Sequence, residues 1–404
     1  MTDLTRRAAL AAATTAAVLP RFARAQSQVL RIGVLNDMSG NYRDATGPTS
    51  AVCARQAVEE FASKGFAVEV LTGDHQNKPD VGAGIARQWF DRDGVDLIVD
   101  VPTSSVALAV NSIAKEKNKA YLNCGGATAD LTGKDCTPNI VHWAYDTTML
   151  ASTVGGALTK AGGTKWFFLT ADYVFGQQLQ RDTSGVVTKL GGTVVGAAPY
   201  PFPSTTDFSS FLLQAQASGA TVIGLANAGD DTVNSVKQAH EFGLTANGTK
   251  LAALLGSITV AHGIGLDVAQ GLILTESYYW DLNDRTRAFA KRVFPKTPKN
   301  MPNAVHAGCY AGTLHYLKAV ADLGIAQKAD GAAVVARMKA MPADDDCFGK
   351  TTIRADGRAM VTPYLLQVKK PSESKGEWDI FNVLSSLSPE ESSPPVGACA
   401  LVKA

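Results

Sequence analysis

Short apolar runs alternate with longer amphipathic stretches along most of the chain. Residues 29–35, 67–71, 95–99 and 120–123 read as strands, and the segments between them, 51–61, 81–90 and 106–115, show helical spacing of apolar positions. The rhythm restarts after residue 146. Helical patterns at 149–159, 175–189, 208–217 and 231–242 alternate with strand-like runs at 165–170, 193–197, 221–225, 251–254 and 271–275. Such alternation predicts parallel β-α-β units with helices on both faces of each sheet. Two similar halves in series follow, with no residue-level repeat. Residues 284–293, 305–323 and 331–341 read as helices, and 362–369 as a strand with little after it. These pieces are too fragmentary for a third core, so they are expected to complete the two halves. Residues 385–395, rich in Ser, Pro and Glu, are expected to be irregular.

The first residues differ in kind. Arg6 and Arg7 precede an alanine-rich apolar run from Ala8 to Leu19, and Ala23-Arg24-Ala25 closes it. These are the three parts of a secretory signal, which assigns residues 1–25 to export and the remainder to the periplasm. The Thr5-Arg6-Arg7 start adds a twin-arginine route, although Leu10 comes later than the usual pattern has it. The run is too short for a bilayer span, which needs roughly 20 apolar residues. No cysteine near the cleavage site suggests a lipid anchor.

A formal net charge of +1, with no basic run, argues against nucleic acid as a partner. The six cysteines are Cys53, Cys124, Cys136, Cys309, Cys347 and Cys399, with no CxxC among them. In an oxidising compartment some should pair. Cys124 and Cys136 are close enough for a local bridge, Cys399 can tie down the tail, and Cys347 is a further candidate. Cys53 falls in a helical pattern and reads as core. The six histidines lack metal-ligand spacing, and His306 and His315 read as packing or surface residues. Asp344-Asp345-Asp346 lacks the glycine and distal Glu of a calcium loop and reads as a solvated loop. The chain contains no GxSxG, HExxH or phosphate-loop pattern, and Gly82-Ala83-Gly84 lies within a helix, so nothing points to catalysis, a cofactor or a metal.

The strand-to-helix loops carry more information, because open α/β sheets bind ligands at the carboxyl ends of their strands. In the first half these loops are 36–42, with Tyr42; 101–105, with Ser104 and Ser105; and 123–128, with Gly126, Ala127 and Thr128. Small hydroxyl and glycine residues before a helix suit an anion. In the second half the loops bring Tyr173 and Phe175, then Asn227 and Asp230, then Glu276 and Tyr278. Aromatic and carboxyl groups there suit a ligand with an apolar body and polar ends.

The order and spacing of 30–40, 127–132, 171–176, 207–211 and 271–275 resemble the periplasmic solute-binding proteins of ABC importers, in the Leu/Ile/Val-binding family. The resemblance implies a two-lobed α/β fold, periplasmic binding protein type I, with three crossover strands. One lobe is then 28–146 plus 281–348, the other 147–280 plus 349–390, with an irregular tail at 391–404. It further implies a monomer that captures a small molecule in the cleft and delivers it to an inner-membrane permease. Ser104 and Ser105 match the family's carboxylate-holding loop, Gly126, Ala127 and Thr128 its second such loop, and Tyr173 or Phe175 an aromatic contact. Asn227 and Glu276 fall at the ligand's far side. Residues 227–230 depart from the aromatic loop of the amino acid binders. The Tyr279-Trp280-Asp281-Leu282-Asn283 stretch is similar to a subgroup that takes benzoates and phenylpropanoids. A small aromatic or hydrophobic carboxylate and a hydrophobic amino acid both remain open as ligands. A sensory module for a receptor is the alternative role.

Overall fold

The structure is a computed structural model. It describes residues 29–61, 65–246, 248–393, 395–396 and 398–402. The export segment, with its twin-arginine pair, lies outside the described residues.

The first lobe opens with β1 (Val29–Asn36), α1 (Gly47–Phe61), β2 (Ala67–Asp74), α2 (Pro79–Gln88), β3 (Leu97–Asp100), α3 (Ser104–Glu116), β4 (Ala120–Asn123) and β5 (Ile140–His142). Its five strands run in the order β2-β1-β3-β4-β5, all parallel. β3 and β4 are buried along their whole length, which is why they read as apolar runs up to their last residues, Asp100 and Asn123, rather than as alternating ones.

The chain then crosses over. α4 (Thr147–Leu150) continues through a wide turn into α5 (Gly156–Lys160). β6 (Lys165–Ala171), α6 (Val174–Lys189), β7 (Thr193–Tyr200), α7 (Ser209–Ala217), β8 (Val222–Ala226), α8 (Asp230–Glu241) and β9 (Lys250–Ala253) follow. After them come α9 (Ile258–Ile264), α10 (Leu266–Ala269) and β10 (Ile273–Glu276). Past β10 the chain returns to the first lobe with α11 (Asp284–Val293), α12 (Ala304–Leu323) and α13 (Gly331–Ala340), and α12 packs along α1. The short hairpin β11 (Ala343–Asp345) and β12 (Gly349–Thr351) precedes the last crossing. β13 (Tyr364–Val368), β14 (Phe381–Ser386) and the one-turn α14 (Pro389–Ser392) end the fold. The second sheet runs β14-β13-β10-β9-β8-β6-β7, its last two chain segments antiparallel.

Five expectations need correction. The strand near 362–369 is followed by β14, whose side chains past Phe381 are mostly exposed and so leave no apolar pattern. The stretch 385–395 is not wholly irregular, because Ser388 caps α14 through a reciprocal bond with Glu391. Asp344-Asp345-Asp346 is no solvated loop. Asp345 is buried and accepts the backbone N–H groups of Cys347 and Phe348, while Asp344 and Asp346 pair with Arg285, and Asp346 also with Arg292. Residues 353–359 still belong beside the first lobe, since Gly357 accepts the His142 N–H at the edge of β5. Finally, the disulfide joins Cys136 to Cys399, and Cys124 and Cys347 are buried free thiols, as are Cys53 and Cys309. Cys124 sits at the end of β4 against Gly308 of α12, away from Cys136, so no local bridge forms. His306 and His315 are both buried in α12.

Candidate functional site

Each sheet has a switch in strand order, and the two switches face each other across the lobes. β1 lies between β2 and β3, and β6 lies between β7 and β8. Loops leaving neighbouring strands diverge there and open a crevice. The loop after β1 brings Tyr42, that after β3 Pro102, and that after β4 Gly125 and Ala127. From the second lobe come Tyr173 and Phe175 after β6, and Ala228 and Gly229 after β8. Together they enclose about 530 Å³ of empty space, part of it continuous with solvent.

Of the candidates named above, Tyr42, Ala127, Tyr173, Phe175 and Glu276 line this cavity. The Tyr42 and Tyr173 hydroxyls share a hydrogen bond of 2.7 Å across the lobes. Phe202 stacks on both rings. At the base, Glu276 accepts the N–H of Ile258 on one oxygen and that of Ala304 on the other, each at 2.8 Å. Burial pushes its carboxyl up to about 8, against the downward pull of those two bonds.

The other seven candidates are not among the residues that line it. Ser104 is the first residue of α3 and is fully buried, its hydroxyl accepting the Thr128 N–H at 3.2 Å, so it ties two cavity loops together. Ser105 follows on the helix and does not reach the cavity. Gly126 exchanges bonds with the Asn123 side chain, and Ala107 leaves no room there for a Cβ. Thr128 donates to Gln178 of the second lobe at 2.6 Å. Asn227 is buried and bonded to Thr232 and Ser235 of α8. Asp230 is exposed, with its backbone N–H on the Asn41 carbonyl. Tyr278 packs edge-on against Phe289, its hydroxyl near the Thr286 carbonyl.

Several lining residues escaped the sequence reading. Tyr145 stands in the first crossing segment, Leu255, Gly256 and Ser257 follow β9, and Asn303 precedes α12. The loop after β9 obeys the same strand-end rule and could have been found by it. At the mouth Gly229 has a positive φ of 60°, and a Cβ there would lie 2.2 Å from the Asn41 carbonyl oxygen, so the position excludes a side chain.

These features, two lobes with facing switch points around an aromatic cavity, agree with what comparison shows. Residues 29–377 match the family described as periplasmic binding protein. The chain belongs to that family. It is 45% identical to a periplasmic binding protein from Burkholderia mallei, with a TM-score of 0.89 over 93% of this chain and 100% of that one. A branched chain amino acid ABC transporter periplasmic ligand-binding protein from Burkholderia xenovorans is 38% identical, with a TM-score of 0.81 over 92% of this chain and 99% of that one. A solute-binding protein of an ABC transporter from R. palustris, solved with benzoate, shares the fold at 19% identity, with a TM-score of 0.80 over 92% and 100% of the two chains. No curated protein sequence matches. The chain is thus a periplasmic binding protein of the ABC transporter type. Among the described residues no helix is long and apolar enough to cross a membrane.

Proposed function

We propose that this periplasmic binding protein captures a small aromatic or hydrophobic carboxylate, or a hydrophobic amino acid, in the interlobe cavity and delivers it to a membrane permease without chemical change. Export would follow from the signal at residues 1–25. The observation that carries the ligand class is the make-up of the wall. Tyr42, Tyr145, Tyr173 and Phe175 form an apolar, aromatic body, and no Lys or Arg lines it. On the first-lobe side, the backbone N–H groups of Gly125 and Ala127 have no hydrogen-bond partner among the described residues. Buried donors without partners are costly, and a ligand carboxylate would satisfy them. The benzoate-bound relative has the same fold, but at its identity the ligand reading rests on this chain's own cavity.

A thermal-shift screen over benzoates, phenylpropanoids and hydrophobic amino acids tests the reading. A ligand at about 100 times its dissociation constant should stabilise the protein by about 2.7 kcal/mol. No shift with any member would reject it.

A further inference from the structure

Asn41 of the first lobe meets three consecutive residues of the second. At Gly229 a Cβ would collide with the Asn41 carbonyl, and that carbonyl accepts the Asp230 N–H at 3.0 Å. The Asn41 amide donates to Oδ1 of Asp231 at 2.9 Å. Asp231 lies in the first turn of α8 and is 2% exposed, and its Oδ2 accepts the Tyr200 hydroxyl at 2.8 Å. Its carboxylate is therefore shared between the lobes, by two donors that carry no charge. It does not line the cavity.

The groups around Asp231 do not neutralise it. Tyr42, Tyr173 and Tyr200 are phenols whose ionisation burial suppresses. Asp230, before it on the helix, adds a like charge. On the loop that carries Asn41, Arg43 pairs with Asp44, and Asp37 accepts the N–H groups of Gly40 and Tyr42. Of the helices packed on α8, α7 carries no titratable residue, and α9 carries His262, which pairs with Glu377 at the surface. The third, α10, carries the exposed Asp267.

Burial penalises a charged carboxylate, and water restores it. With the lobes joined, burial pushes the Asp231 carboxyl up to about 6, against the bonds from Tyr200 and Asn41. With the lobes apart it loses Asn41 and gains water, and falls back toward the ordinary carboxylate value of about 3.9. The joined form therefore binds the proton more tightly. Its advantage is full below the ordinary value and is lost as pH rises through about 6.

We propose that Asp231 is a proton-operated latch: the lobes close on a ligand with uptake of a proton at this carboxyl, so that the protein holds its ligand more tightly in mildly acidic than in neutral surroundings. The latch rests on the reading that ligand binds between the lobes.

Titration calorimetry with benzoate and with L-phenylalanine tests it, in the wild type and in Asp231→Asn. Asparagine offers Asn41 and Tyr200 a neutral partner at every pH. Glu276, which burial raises to about 8, is present in both proteins, so the ratio of their affinities isolates Asp231. That ratio, wild type over variant, should rise about tenfold between about pH 7 and about pH 5. At about pH 5.5 the wild type should also take up about 0.7 of a proton more per ligand than the variant, read from the heats in two buffers. A ratio that stays level or falls, or equal uptake by the two proteins, would overturn the latch. Asp231→Ser removes the same charge and takes the place of Asp231→Asn should that variant not fold. Binding of neither probe would defeat the cavity reading and the latch with it, a result distinct from binding without pH dependence.

Discussion

The lobes meet in two places, and the two are built from different chemistry. At the hinge, Asp146 caps α4 and pairs with Arg358, which lies at the edge of the first lobe, and neither side chain has any exposure. Ser277 donates to the Ala144 carbonyl at 2.7 Å, joining two crossing segments. The Cys136–Cys399 disulfide returns the tail of the second lobe to the first. At the mouth the contacts are mostly hydrogen bonds between partly buried side chains. Asn41 donates to Asp231 at 2.9 Å, Tyr42 meets Tyr173, and Gln178 bonds both Thr128 and Asp130. Buried ion pairs cannot be parted without stranding a charge. Hydrogen bonds at a wet edge exchange for water at a small net cost. Parting the lobes would therefore cost least at the mouth and most at the hinge.

Breaking the hinge should have the largest effect. Asp146→Asn leaves Arg358 buried without a counter-charge, and stability should fall by about 3–5 kcal/mol. Chemical denaturation would measure it, and a loss below about 1 kcal/mol would erase the contrast between the two seams. The mouth should answer differently. Gln178→Ala removes two cross-lobe bonds worth about 1 kcal/mol each, which should weaken ligand binding by up to roughly thirtyfold while the unliganded melting temperature changes little. A large drop in that temperature, with affinity intact, would make the mouth structural instead.

Much of this was legible in the chain. Strands β3 and β4 are apolar runs up to their last residues, and the loops after β1, β4 and β6 deliver Tyr42, Ala127, Tyr173 and Phe175 to the cavity because strand ends at a switch point must face the cleft. What stayed hidden depends on direction and distance. Ser104 has the residue type of a ligand contact, but its hydroxyl accepts from Thr128, a partner only the folded loops bring near. Tyr278 and Glu276 are two residues apart, yet Glu276 faces the cavity and the Tyr278 ring packs on Phe289, a split set by the crossing geometry and not by composition. The bridge between Cys136 and Cys399 spans 263 residues, so spacing favoured the wrong partner.

The central claim is that the interlobe cavity is where ligand binds. Ala228 stands on its second-lobe wall, and Ala228→Trp would project an indole into the cleft that separated lobes can accommodate and closed lobes cannot. Titration of this variant with the tightest ligand of the wild type is the direct test. Affinity should fall by about a hundredfold or more, with the unliganded protein still folded, because the indole and the ligand compete for the same space. Wild-type affinity in Ala228→Trp would place the binding site elsewhere.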